Sequence, residues 1–318
     1  MTDQGNPESI KAIPVRHPGR WIATFVIFVL VAMFINMALT NPNFEWGVIG
    51  EYLFNNKILE GVWATVWITI VAMLAGILLG VVLSVMRLSP NPLLSNVASG
   101  YIWFFRGTPV LVQLIFWFNL AVLVPHISIG IPFGPTFVSW DTNSVITPFV
   151  AALLGLGLNE AAYMAEISRA GIQSVDEGQV EASSALGMSR TQTMRRIVLP
   201  QAMRVIIPPT GNEVISMLKT TSLVSVVAMP ELLYNTQQIY ARTYQTIPLL
   251  IVASIWYLFL TSLLTIGQFY IERHYGKGST NTQAPTFFQR LRRNVFRFHD
   301  VPPTPPSSTL LDANGGVR

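Results

Sequence analysis

Cysteine is missing altogether from the 318 residues. This excludes a disulfide framework, a thiolate nucleophile and any metal held by sulfur. Histidine is scarce, and the four present stand far apart, with none in an HExxH pattern; no metal site is expected from them. A nucleotide loop is missing too. Gly276-Lys277-Gly278-Ser279 resembles one at a glance, but a Walker A sequence needs glycine five residues before the lysine and Ser or Thr right after it, and those places hold Ile271 and Gly278. Charge is the last shortage. Only 11% of the residues are charged while 51% are hydrophobic, against about 25% charged in an ordinary soluble domain. The composition predicts an all-α polytopic membrane protein with about six transmembrane helices. The formal net charge of +4 fits membrane orientation better than a nucleic-acid partner.

What is present is a series of apolar runs, at 21–39, 61–86, 109–124, 145–167, 203–229 and 248–271. The first exceeds the core of a secretory signal, about 7–15 residues, and no small-x-small cleavage site follows it, so a retained helix is expected. Six spans put both termini on one side. Cytoplasmic segments hold an excess of Lys and Arg. Seventeen of the twenty such residues fall on the segments sharing a side with the termini, while Lys57 and Arg242 fall opposite and Lys219 lies within the fifth span. Both termini and the segment around 174–200 are therefore predicted to be cytoplasmic, and the loops at 40–60, 125–144 and 230–247 external. The 125–143 loop, with Pro132, Gly134 and Pro135, reads as irregular. After Tyr275 a Pro/Ser-rich tail encloses Arg290, Arg292, Arg293 and Arg297 among phenylalanines, a pattern suited to disorder with lipid contact.

The stretch 174–200 carries two capping-box patterns, Ser174 with Glu177 and Ser189 with Gln192. With Gly187 between them, helices are predicted over 175–186 and 190–199, the second interrupted at Pro200. Ala182, Ser183, Ser184 and Ala185 leave a narrow helix end suited to insertion into a groove on another protein. A soluble DNA-binding helix-turn-helix is the rival reading, and apolar spans on both sides argue against it.

Glu181-Ala182-Ser183, Gly187, and Ile197, Leu199 and Pro200 resemble the EAA loop of ABC importer permeases: EAA, three residues, G, nine residues, I-x-LP. Serine stands for the second alanine, at Ser183. The resemblance implies a type I importer fold: a dimer of permeases (two copies or a homologous pair), two cytoplasmic ATPases that hold ATP and Mg, and an external substrate-binding protein. It implies no cofactor and no catalysis in this chain, and a place in the bacterial cytoplasmic (inner) membrane. LNEAAYMAEISRAGIQSV, RGTPVLVQLIF and NEVISMLKTTSL extend the likeness to permeases of the polar amino-acid uptake group. The matching region is 60–272, a five-span core to which the 21–39 helix is an addition, with 1–20 and 276–318 as cytoplasmic ends. Thr220 stands where the group typically has aspartate after the lysine.

Charges in the membrane are costly and usually face a cavity or a partner. Glu166 has Arg169 three residues on, so an ion pair is expected. Glu160, beside Asn159, has no local partner, which leaves cavity lining or an interspan salt bridge. Pro208-Pro209 and Gly211 predict a broken fifth span, tolerated where backbone lines a cavity. Lys219 follows, with three roles open: meeting a substrate carboxylate, pairing with Glu160 or Glu213, or reaching outer water. The candidate substrate path is Asn159, Glu160, Asn212, Lys219, Thr220, Thr221 and Ser222. The leading function is a permease moving an amino acid by alternating access; an importer of another small solute, or an ion-coupled secondary transporter, is the alternative.

Overall fold

The computed structural model describes residues 18–131 and 134–275; the expectations for 1–17 and for the tail after 275 lie outside them. In chain order the elements are α1 (Pro18–Thr40), α2 (Trp46–Leu53), α3 (Asn56–Arg87), α4 (Pro92–Gly107), α5 (Val110–Phe118), a hairpin of β1 (His126–Gly130) and β2 (Thr136–Asp141), α6 (Thr142–Val145), α7 (Pro148–Gln173), α8 (Glu177–Ala185), α9 (Arg190–Thr193), α10 (Leu199–Thr220), α11 (Leu232–Thr243) and α12 (Thr246–Tyr275). Among the described residues four helices are long and apolar enough to cross a membrane, α1, α3, α7 and α12, or six if each of two bent helix pairs is one span.

α7 is the axis of the bundle, and small residues explain how closely α3 approaches it. Ala72, Gly76, Gly80 and Ser84 recur every fourth residue and are all buried. A Cβ on Gly80 would lie 2.6 Å from the Met164 Cβ and 3.0 Å from the Ala161 carbonyl oxygen of α7. In lipid there is no hydrophobic drive between helices, so this backbone approach and the dispersion contacts it permits hold the pair together. Ile68, Ala72, Met73, Leu114, Leu156 and Val224 pack as one core between α3, α5, α7 and the turn after α10.

Three sequence expectations are corrected. The third span does not begin at 109: α4 precedes it, and α4 and α5 meet at an angle of 100°. The Gly107-Thr108-Pro109 break hides the helix before it from a hydropathy reading. The fifth span is not broken at Pro208-Pro209, both of which lie inside the continuous α10. Missing donors weaken a helix without unwinding it when neighbours hold it, and here the Gln268 side chain of α12 donates to the Pro208 carbonyl at 3.3 Å. The change of course comes later, in a 3-10 turn over Thr221–Val227 ended by Ala228 at φ 54°. The 125–143 loop is not irregular either. It is an antiparallel hairpin pairing Ile127 with Trp140 and Ile129 with Val138, with an irregularity at Gly130.

One buried carboxylate ties α3, α11 and α12 together. Glu231 is 0% exposed and caps α11, accepting from the backbone N–H groups of Leu233 (2.9 Å) and Tyr234 (2.7 Å). Tyr257 of α12 donates its hydroxyl to the same carboxylate at 2.8 Å and Thr65 of α3 at 3.4 Å. The Thr65 oxygen accepts in turn from the Leu232 N–H at 3.2 Å. Between them the Glu231 carboxylate and the Thr65 hydroxyl satisfy amides at the start of α11 that have no partner within the helix.

Candidate functional site

The 174–200 stretch folds as a helix, a tight reversal and a second helix. Ser174 does not cap α8. Its hydroxyl donates to the Gly171 carbonyl at 2.7 Å, because α7 runs on to Gln173 and Ser174 closes it. Asp176 takes the capping role, its carboxylate accepting from the Gly178 N–H at 2.8 Å, so α8 starts two residues later than the sequence suggests. At the other end Gly187, at φ +76°, donates its N–H to the Ser184 carbonyl at 3.0 Å while Met188 reaches the Ser183 carbonyl at 3.1 Å. This is the Schellman termination, which satisfies the last carbonyls of a helix and needs a left-handed residue. The Ser189–Gln192 capping box forms with both of its bonds, at 2.9 and 3.4 Å.

Ser183, where the family pattern has alanine, is 3% exposed. Its hydroxyl donates to the Val180 carbonyl at 2.7 Å and lies 2.9 Å from the Thr193 hydroxyl across the reversal. Ser183 is therefore not part of the outward surface. That surface is made by Glu181, Ala182, Ser184, Ala185 and Leu186, the last 81% exposed, so the helix end is broader than four small residues imply. Pro200 does not interrupt the second helix. Met194–Val198 form a π turn in which the Leu199 N–H reaches the Met194 carbonyl, five residues back. Such a turn shifts the hydrogen-bond register, and Pro200 then falls in the first turn of α10, where no donor is required. Ile197 is half-buried, while Leu199 and Pro200 are exposed.

The polar residues of the bundle divide into groups. Glu166 meets Arg169 at 2.7 Å, as its spacing predicts, and also Arg87 of α3 at 3.2 Å. Asn159 donates to the Phe105 carbonyl at 2.7 Å and lies 3.4 Å from the Gln113 side-chain oxygen. Gln113 in turn donates to the Phe105 and Thr108 carbonyls, each at 3.1 Å. These two amides supply partners for backbone freed at the α4–α5 bend. Gln113 was not singled out from the sequence, although it lies within RGTPVLVQ. Glu160 is 4% exposed, packs against Gly76 and has an oxygen, Oε1, without a hydrogen-bond partner. Among the described residues it forms no ion pair.

Lys219 is exposed and pairs with neither Glu160 nor Glu213, which removes one of its three expected roles. Thr220, Thr221 and Ser222 donate to the carbonyls of Ser216, Leu218 and Lys219 at 2.9, 2.7 and 2.7 Å, closing the end of α10. The Asn212 oxygen accepts from Gln268 at 3.0 Å. Near the α8 end of the bundle, a cleft of about 580 Å³ is lined by Arg87, Trp103, Arg106, Tyr163 and Glu166 among others. The Arg106 guanidinium lies over the Tyr163 ring, 5.1 Å from its centroid. No group of His, Cys, Asp and Glu that could hold a metal occurs among the described residues.

Residues 74–277 match the family described as "Binding-protein-dependent transport system inner membrane component". The arginine transport system permease protein ArgU of Corynebacterium glutamicum is 51% identical over 280 residues, 87% of this chain and 86% of that protein. The probable amino-acid ABC transporter permease YckA of Bacillus subtilis is 38% identical over 71% of this chain and 95% of its own length. Among solved structures, an amino acid ABC transporter crystallised with histidines superposes with a TM-score of 0.60 at 33% identity, over 70% of this chain and 95% of that one. An inward-facing MetNI methionine transporter superposes at 0.56 and 19% identity, over 69% and 96%, a likeness of fold alone. The chain is therefore a member of the binding-protein-dependent inner membrane components, the permease subunits of ABC importers.

Proposed function

We propose that this permease carries a cationic amino acid of the arginine type into the cell by alternating access, coupled to ATP hydrolysis in separate subunits. The substrate class is supported by the 51% identity to a permease named for arginine and by Glu160 and Glu213, membrane-depth acids without an ion pair among the described residues. In this reading the α8–α9 bend, with Glu181, Ala182, Gly187, Ile197, Leu199 and Pro200, seats on a cytoplasmic ATPase, and both chain termini lie on that side. The core is 60–272, with α1 an addition. A second permease completes the pore, and a substrate-binding protein delivers the amino acid to the outer face. Asn212, Lys219 and the hydroxyls after it border the path, with Lys219 free to meet the substrate carboxylate. This chain itself holds no cofactor; ATP and Mg belong to its partners.

The observation that carries the coupling is continuity. α9, the π turn and α10 form one unbroken helical run from the exposed bend into the membrane, so a push on the bend is delivered to the polar groups of α10. The test is uptake of labelled L-arginine by proteoliposomes holding the complex, with ATP inside and binding protein outside, against a panel of unlabelled amino acids. ATP-dependent uptake, competed by basic amino acids, is expected. Uptake that persists without ATP and collapses with an ionophore would instead establish an ion-coupled carrier.

A further inference from the structure

The hairpin of β1 and β2 has two unlike faces. Residues directly opposite each other in an antiparallel pair share a face, and the faces alternate along each strand. By that rule Ile127, Trp140, Ile129 and Val138 stand together on one side, and His126, Asp141, Ser128 and Ser139 on the other. The two serine hydroxyls meet across the strands at 3.0 Å. Apart from Ile127, which is half-buried, every residue of both strands is exposed. Phe137, left without a partner at the irregularity, is exposed as well. Among the described residues the apolar face is thus left largely uncovered, yet a lone two-stranded hairpin is marginal in water and needs such a face packed on something.

The surface on offer follows from where the hairpin is attached. Its base is clamped by Thr142, which is fully buried and donates its N–H to the Pro125 carbonyl at 3.0 Å and its hydroxyl to the Val124 carbonyl. α7 begins shortly afterwards, and its 26 residues run about 39 Å at 1.5 Å each, more than the roughly 30 Å of a hydrocarbon core. The hairpin therefore sits at one membrane surface and α8 at the other. The approach to it is apolar and exposed: Val112, Ile115 and Phe116 on α5, then Val122, Leu123 and Val124 leading into β1.

Charge narrows the choice further. Between Phe118 and Pro148 there is no Lys, Arg or Glu, and the ionisable side chains, His126 and Asp141, both lie on the polar face. A docked protein calls for a polar rim and favours arginine, and an anionic headgroup calls for Lys or Arg. The apolar face offers neither. Tryptophan beside aliphatic side chains suits the boundary between headgroups and acyl chains.

We propose that the hairpin lies flat on the bilayer at the end of the bundle opposite α8, with Ile127, Ile129, Val138 and Trp140 in the headgroup–acyl boundary and Ser128 and Ser139 turned to water. Its partner is the lipid surface, neutral and anionic alike. Clamped at its base by Thr142, the hairpin sets the depth at which α5 ends and α7 begins.

The absence of cysteine makes any introduced cysteine unique in this chain. The test places a nitroxide at Ser128→Cys, Ile129→Cys, Val138→Cys or Ser139→Cys in turn, in the permease–ATPase complex with the cysteines of other subunits replaced. In phosphatidylcholine vesicles, relaxation of the label by oxygen, which concentrates in hydrocarbon, is compared with relaxation by a water-soluble nickel chelate. The oxygen-to-nickel ratio at 129 and 138 should be severalfold above that at 128 and 139, and unchanged when phosphatidylglycerol is added. Val138→Glu, combined with Ile129→Cys, should drop the ratio at 129 to the serine value, with ATPase activity reporting that the complex is intact. Equal ratios on the two faces overturn the proposal. So does a ratio at 129 and 138 that rises only when substrate-binding protein is added, which assigns the face to that protein. Dipolar broadening between labels on two copies overturns it as well, in favour of a second permease.

Discussion

The Ser183 and Thr193 hydroxyls lie 2.9 Å apart, both residues buried, across the reversal that joins α8 to α9. At the position where the family pattern carries alanine, this chain has placed a clasp between the two arms of the 174–200 segment. Ser183→Ala should therefore restore the common sequence yet loosen the bend, leaving the Thr193 hydroxyl without its partner at a cost of about 1–3 kcal/mol. Hydrogen exchange over 177–193 should speed up. The double variant Ser183→Ala, Thr193→Val should recover most of the protection, and equal exchange in all three proteins would show that the clasp does nothing.

Gly187 is left-handed, and a Cβ added to it would meet nothing within 4 Å. The penalty for a side chain there is thus conformational, about 1–2 kcal/mol. Gly187→Asn should be mild, because asparagine visits that region readily. Gly187→Ala should cost more, and Gly187→Arg should abolish uptake while the protein remains in the membrane at normal level. Uptake assays beside quantitative immunoblots check the series; wild-type uptake by the arginine variant would mean the bend is not the coupling joint.

Glu231 holds α3, α11 and α12 through one carboxylate. Removing it leaves two partly buried backbone N–H groups without their acceptor, at up to about 1–3 kcal/mol each. Glu231→Ala should lower the melting temperature in detergent well beyond Tyr257→Phe, which removes a single donor. Melting by intrinsic fluorescence reads this directly, and equal values for the two variants would contradict the shared-cap arrangement.

Lys219 has no ion pair among the described residues, so Lys219→Ala should leave melting unchanged while raising the apparent KM for uptake or altering substrate preference. A drop in melting temperature with unaltered kinetics would return the lysine to a structural role.

Much of this fold was readable because α1, α3, α7 and α12 are single apolar helices, and length with hydropathy finds such helices. The α4–α5 elbow was not, since Arg106, Gly107 and Pro109 interrupt the apolar run while the groups that stabilise the bend, Gln113 and Asn159, lie 46 residues apart in sequence. Pro208-Pro209 misled for the opposite reason: a local breaker signal was overridden by packing of α12 against α10. The hairpin's alternation of Ile127 and Ile129 with Val138 and Trp140 is visible once paired, but proline and glycine between the strands masked it. In the 174–200 segment the capping-box spacing found the Ser189–Gln192 box and missed Asp176 as the cap of α8. What it could not convey was which way Ser183 points, because that depends on Thr193 beyond the turn.

The π turn ahead of Pro200 has a mechanical consequence. By keeping the chain helical through Pro200, the turn makes α10 a rigid extension of α9. The 22 residues of α10 span about 33 Å at 1.5 Å each, so each degree of tilt at α9 sweeps the far end by roughly 0.6 Å.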